Sequence, residues 1–222
     1  MLSSFIARLA RDEDGGPLVE VAITLPFLIL FLFGGVDFMS ALYQWNAAAK
    51  AVQIGARIAA VSDPVASGLS SISDNVLTLG LSSGSPMPDF AVECNGAAAA
   101  CACVSGACDG AGGYSAEAMG LLVYGRAGNG ACALPASQYF AGMCNVYAPI
   151  APRYVNVTYQ QTGLGYAGRS LGPVPTITVS LNAPSLKDKL PFRFFFLPFA
   201  AIDIPEVTTT ITGEALSASA AE

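Results

Sequence analysis

The uncharged run VAITLPFLILFLFGGV, from Val21 to Val36, limits the folds open to this chain more than any other feature. With Leu18 and Val19 before it and Phe38 to Tyr43 after it, the segment reaches the roughly 20 residues that a membrane-spanning helix needs. Glu20 stands almost at its start and Pro26 lies inside it. A carboxylate in apolar surroundings is costly unless it is paired, so Glu20 is either an acid in the headgroup zone or a charge kept for a partner. Pro26 is compatible with an ordinary transmembrane kink.

The residues before the run, MLSSFIARLARDED, carry Arg8 and Arg11 but have no apolar core of their own. A secretory signal would continue into a short apolar region and an A-x-A-like cleavage site. Here a charged leader is followed by Gly15 and Gly16, then Glu20, then the span. Basic residues precede the span and none follows it until Lys50, which places the N-terminus in the cytoplasm; Asp12, Glu13 and Asp14 count for little in that rule. The bulk of the chain is then extracytoplasmic.

The helix is expected to outrun the membrane. Phe38, Ala41, Leu42, Trp45, Ala48, Ala49, Val52, Ala56, Ala59 and Ala60 recur at the spacing of one helical stripe. Asp63-Pro64 ends the pattern, because the residue before a proline is pushed out of the α region. A helix from about Leu18 to Val61 would be on the order of 65 Å long, against a bilayer core of about 30 Å. Half of it must project and pack on something.

Composition fits an anchored chain with a modest domain outside the membrane. Of 222 residues, 53% are hydrophobic and only 12% charged, with a formal net charge of −6. Ten basic residues scattered along the chain form no cluster for neutralising phosphates, so no nucleic-acid partner is expected. The six cysteines, Cys94, Cys101, Cys103, Cys108, Cys132 and Cys144, form an even set of the kind favoured by oxidising compartments. The segment CNGAAAACACVSGACDGAGG, from Cys94 to Gly113, has almost no large apolar side chains and cannot build a core, so disulfides are the natural substitute. Four thiolates for a metal are the alternative, but the spacing is not that of a zinc ribbon and the chain contains no histidine. Six cysteines allow fifteen pairings, and spacing does not choose among them. On a strand, Cys101 and Cys103 would point the same way.

Past Pro64, Val65, Leu69, Ile72, Val76 and Leu79 predict a short helix that starts at Pro64, is capped by Asp63 and ends before Gly80. Residues 82–88 read as a loop and Phe90 to Glu93 as a short strand. Tyr154 to Gln160, Thr176 to Asn182 and Val207 to Gly213 are further strand candidates, rich in β-branched residues. The stretch PFRFFFLPFAAIDIP, from Pro191 to Pro205, packs five phenylalanines into eight residues and is too short to span a bilayer. It reads first as a core or subunit-contact segment, and second as an exposed aromatic patch that touches membrane or another subunit. Asn156-Val157-Thr158 fits a glycosylation sequon, a pattern too common by chance to use. Without histidine there is no Ser-His-Asp or Cys-His nucleophile pair, and no phosphate-binding G-x-x-x-x-G-K-[ST] loop occurs, so neither enzymatic activity nor a cofactor is expected.

Gly16 to Ala60 resembles the TadE-like minor pilins, or pseudopilins, of tight-adherence (Tad/Flp) type IV pilus systems. The shared elements are a short leader ending in Gly15 or Gly16, Val19-Glu20, Ala22, Leu25-Pro26, Gly34 or Gly35, and Gly55-Ala56-Arg57. The stretches ITVSLNAPSLKDKLPF and IPEVTTTITGEALSAS also look like the C-terminal strands of that family, whereas the cysteine-rich middle has no counterpart. The resemblance implies that a prepilin peptidase, an aspartyl membrane protease, cuts between Gly15 and Gly16. Glu20 would then be the fifth residue of the mature chain, where it can pair with the α-amino group of a neighbouring processed subunit. Pro17 in second place departs from the family pattern.

The expected fold class is α+β: a long N-terminal transmembrane and projecting helix packed on a small antiparallel sheet domain with a disulfide-stapled loop region. Residues 1–15 form the cytoplasmic leader. Residues 16–62 form the helix, transmembrane over about 18–38 and amphipathic over 39–62, and 63–222 the extracytoplasmic domain. The resemblance implies a minor pilin that initiates, primes or tips an adhesive pilus, assembling through its apolar helix after leader cleavage. Glu20 and Pro26 would serve subunit assembly; the partners would be other pilin-type subunits, the prepilin peptidase, the inner-membrane assembly platform and membrane lipid. The expected location is the bacterial inner membrane, single-pass, with the domain periplasmic, and extracellular in the assembled pilus. The alternatives are an uncleaved single-pass accessory subunit of a membrane complex and an envelope-bound adhesin whose cysteine-rich part is the working surface.

Overall fold

The computed structural model describes residues 16–108, 110–126, 130–133, 141–170, 172–196 and 202–213. Helix α1 runs Gly16–Val61, 46 residues, or about 69 Å at 1.5 Å per residue. At its C-terminal end the Ser62 hydroxyl donates to the Ile58 carbonyl, and Asp63-Pro64 blocks another turn. The chain divides into two compact units. One holds 16–42 and 193–196 of the described residues; the other holds the described residues of 43–192 and 202–213.

In the larger unit, the second half of α1 is built for close packing. Ala47, Ala48, Ala51, Val52, Ala56, Ala59 and Ala60 are buried, while Lys50, Gln53 and Arg57 are exposed. The buried stripe is rotated from the one read in the sequence: Trp45 and Phe38 stay exposed, and Gln44 is buried in their stead. Small side chains allow the helix to approach its neighbours, whereas a Trp on that face would hold it off. Gly55 marks the tightest place, since a β-carbon there would lie 2.7 Å from the Met143 sulfur.

The segment after α1 does not start a helix at Pro64. Ala66–Ser67 (β1) pairs with Gly113–Tyr114 (β4), a 3-10 turn covers Leu69–Ser71, and helix α2 occupies only Ile72–Thr78. Two contacts explain the delay. The Val65 N–H is bound by the Tyr159 hydroxyl at 2.9 Å, and Gly68 takes a left-handed φ of 87°, where a β-carbon would strike the Gly110 carbonyl.

A five-stranded antiparallel sheet carries the core. Strands β2 (Phe90–Asn95), β3 (Ala100–Gly106), β5 (Val155–Gln160), β6 (Thr176–Leu181) and β7 (Val207–Thr212) lie in the order β3-β2-β5-β6-β7. On one face, alternation buries Val92 and Cys94, Val155, Val157 and Tyr159, and Ile177, Val179 and Leu181 in the cluster that also holds the alanine stripe of α1. Asn156, the first residue of the sequon, is buried and its amide nitrogen donates to Glu93 Oε1 at 2.9 Å, so that nitrogen is already engaged inside the sheet.

Strand β3 lies in the region expected as a disulfide-stapled loop. Its seven residues are mostly exposed, so it is held by main-chain pairing with β2 and not by a core of its own. The disulfides are local: Cys94–Cys101 joins directly opposed residues of β2 and β3, Cys103–Cys108 closes the turn after β3, and Cys132–Cys144 ties the chain before helix α4 (Met143–Val146) to that helix. Cys101 and Cys103, two apart on one strand, enter different bridges, and a register shift at Ala91/Val92 falls between Cys103 and Ser105 on β3. Helix α3 (Ala116–Tyr124) was not anticipated; Ser115 caps it by accepting the Ala118 N–H.

Strand β6 stops one residue short of its predicted end because Asn182 turns left-handed at φ 56°. Its buried amide accepts the Leu190 N–H at 2.7 Å and donates to the carbonyls of Leu190 and Ile204 at 2.9 and 2.8 Å. Asn182 thereby clamps together the two chain segments that lead into and out of the phenylalanine-rich stretch.

Candidate functional site in the N-terminal helix

Val21 to Val36 carry no charge, and in the structure nearly every large side chain among them is exposed. The helix is long and apolar enough to cross a membrane, and its most apolar window is not buried against the rest of the chain. Leu, Phe and Ile rings and branches that face outward in this number have no place in water.

Two carboxylates bracket the window. Glu20, the fifth residue of α1, is exposed near the helix start. Asp37 lies seventeen positions further on, about 25 Å along the axis, close to the thickness of a bilayer's hydrocarbon core. Between them, Pro26 sits inside a helix that continues through it. Lacking an N–H, it removes the hydrogen bond that Ala22 would otherwise receive. Two residues upstream the Thr24 hydroxyl donates back to the Glu20 carbonyl at 2.9 Å and to the Val21 carbonyl at 3.4 Å, so the backbone around Glu20 has an additional donor. Gly16 opens the helix and is exposed; Gly15 lies outside the described residues.

Asp37 is the residue that sequence reasoning missed as part of a site. It is 1% exposed. Its Oδ1 accepts the N–H groups of Phe195 and Phe196 at 2.8 and 3.3 Å, and its Oδ2 accepts that of Phe196 at 3.1 Å. The Phe196 ring stacks on Phe33, one turn back along α1, with centroids 4.2 Å apart and planes 5° from parallel. Two signals were present in the sequence, an acid at the end of an apolar run and a phenylalanine cluster between prolines, but they stand about 158 positions apart. Within that cluster Phe192 packs against the core of the larger unit, while Phe195 is 75% exposed; residues 197–201 lie outside the described residues.

The six candidate cysteines belong to the larger unit, and all are in disulfides, which leaves no thiolate among them for a metal. Among the described residues no group of three or more His, Cys, Asp and Glu is placed to hold an ion.

Among the described residues the chain is α+β, with three disulfides and an unburied N-terminal helix long and apolar enough to cross a membrane. More narrowly, residues 18–57 match the family model described as TadE-like protein, and that segment contains Glu20, Pro26, Asp37 and Gly55. The chain therefore carries a TadE-like segment. No curated protein and no solved structure matches the chain.

Proposed function

We propose that this chain is a minor pilin or pseudopilin that helps to initiate, prime or tip a Tad-type adhesive pilus. The observation that carries the reading is the TadE-like segment laid along an unburied apolar helix, with Glu20 four positions after Gly16. In this mechanism the helix holds the subunit in the inner membrane, N-terminus inside and domain outside. A prepilin peptidase cuts between Gly15 and Gly16, and the new α-amino group becomes a cation at the membrane face. A carboxylate in an apolar setting is costly alone and favourable when paired, so Glu20 of one subunit selects the processed N-terminus of another, and unprocessed chains do not assemble. Pro26 and Thr24 together soften the ladder just beyond Glu20 and allow the first turns to adjust to a neighbour. The assembly platform and the other pilin-type subunits are the partners, and the role is structural, without catalysis or cofactor.

The test is the intact mass and N-terminal sequence of the protein recovered from its native membrane or from sheared filaments. A mature chain that begins at Gly16 supports the reading. A chain that retains MLSSFIARLARDED overturns it in favour of an uncleaved single-pass subunit of a membrane complex, with the disulfide-bonded domain as its contact surface.

A further inference from the structure

Asp37, Phe33 and residues 193–196 form one arrangement that pilin assembly through Glu20 does not use. We propose that Phe195 and Phe196 are a second membrane contact of the chain: they enter the apolar side of the phospholipid interface beside α1 and are held there by the Asp37 carboxylate. The proposal rests on the reading of α1 as a membrane span.

Position is the first argument. Phe196 stacks on Phe33, which stands one turn to the membrane side of Asp37, within the uncharged window itself. Around it, Leu30, Leu32 and Val36 are exposed, so the outward surface of the pair continues the apolar surface of the span. A lipid that wets α1 at Phe33 also meets Phe196. Phe195, more exposed still, is the adjacent side chain.

Backbone chemistry is the second. A peptide segment brought into the apolar zone carries N–H groups that cost several kcal/mol each if unpaired. At Phe195 and Phe196 both donors are taken by Asp37, so the two rings can be immersed without stranding those polar groups. The carboxylate gains as well: an acid at the end of a span would face lipid or headgroups, and here it is almost fully covered and accepts both N–H groups.

The experiment uses the full chain in vesicles of phosphatidylethanolamine and phosphatidylglycerol, with and without bromine atoms on the acyl chains. Trp45 is replaced by Phe, which leaves no other indole, and Phe195→Trp serves as reporter, a conservative change at an exposed position. Leu28→Trp in the same background reports on the span. The expected result is blue-shifted emission from position 195 that brominated lipid quenches, and weaker quenching when Asp37→Ala is added while Leu28→Trp stays quenched. Quenching at position 28 with red-shifted, iodide-accessible emission at 195 would overturn the proposal and leave the span intact. Blue-shifted emission at 195 that brominated lipid does not touch would overturn it in favour of a contact with another subunit. If position 28 is not quenched either, the membrane reading of α1 falls and the proposal with it. Quenching at 195 that Asp37→Ala leaves unchanged would overturn the holding role of the carboxylate.

Discussion

The Tyr147 hydroxyl donates to Gln44 Oε1 at 2.9 Å, and both side chains are buried. The bond joins the chain just after α4 to the point on α1 where the alanine stripe begins. Replacing one partner removes a buried bond without removing the polar group opposite it, so Tyr147→Phe should destabilise the domain by about 1–3 kcal/mol. Denaturant titration of the purified full chain measures this, and a shift in midpoint with unchanged slope is expected.

Cys132 and Cys144 close a loop of twelve positions. In the chain-entropy account a loop of that length is worth about 3 kcal/mol. Cys132→Ser should lower stability by that order and leave one alkylatable thiol, at Cys144, identifiable by mass spectrometry. A label found instead on Cys94, Cys101, Cys103 or Cys108 would show a different connectivity.

Tyr159 is fully buried, and its hydroxyl accepts the Val65 N–H. Burial pushes its pKa well above the usual 10, a shift only partly offset by the bond from Val65. The ionised form is thus disfavoured in the folded state. Its contribution to stability is complete below the unfolded-state value near 10 and is lost as pH rises above it. Unfolding free energy measured between pH 9 and pH 11, roughly one unit either side of that value, should fall more steeply in the native chain than in Tyr159→Phe. The variant should also lose about 1–3 kcal/mol at neutral pH, because the Val65 donor is left unpaired.

Asn182 combines a left-handed backbone with three side-chain bonds to Leu190 and Ile204. Asn182→Ala removes all three and puts an ordinary residue where the left-handed conformation costs about 1–2 kcal/mol. A loss of roughly 3 kcal/mol or more is expected, with faster amide exchange at Leu190 and Ile204.

Glu20→Gln removes a charge from the start of the apolar window and leaves the helix intact, so membrane insertion should be unchanged or improved. Recovery in filaments or in crosslinks with other pilin-type subunits should drop by tenfold or more, equivalent to about 1.4 kcal/mol or more of lost pairing. Equal recovery of both forms would remove Glu20 from the assembly mechanism.

Much of the architecture was legible because it rests on periodicity. Strands β5, β6 and β7 and the whole of α1 fall within a residue or two of their predicted bounds. The errors have local physical causes. Pro64 is a good first residue for a helix, but the left-handed Gly68 and the Tyr159 hydroxyl hold the chain extended until Ile72. Hydrophobicity alone runs the stripe on α1 through Trp45, whereas packing selects Gln44, whose amide has a partner in Tyr147, and leaves the indole outside. Strand β3 has no alternation to read, because pairing and a disulfide hold it and its faces do not.

The sequence by itself determined a helix long and apolar enough to span a bilayer, the place of Glu20 at its start, and an α+β domain beyond it, because each depends on the order of side chains along one element. Cysteine connectivity, the engagement of Asn156 inside the sheet, and the capture of Phe195 and Phe196 by Asp37 were decided only in three dimensions. Each joins residues whose separation in the chain says nothing of their distance in space, and the choice among partners is made by which donors, acceptors and surfaces the folded backbone brings within reach.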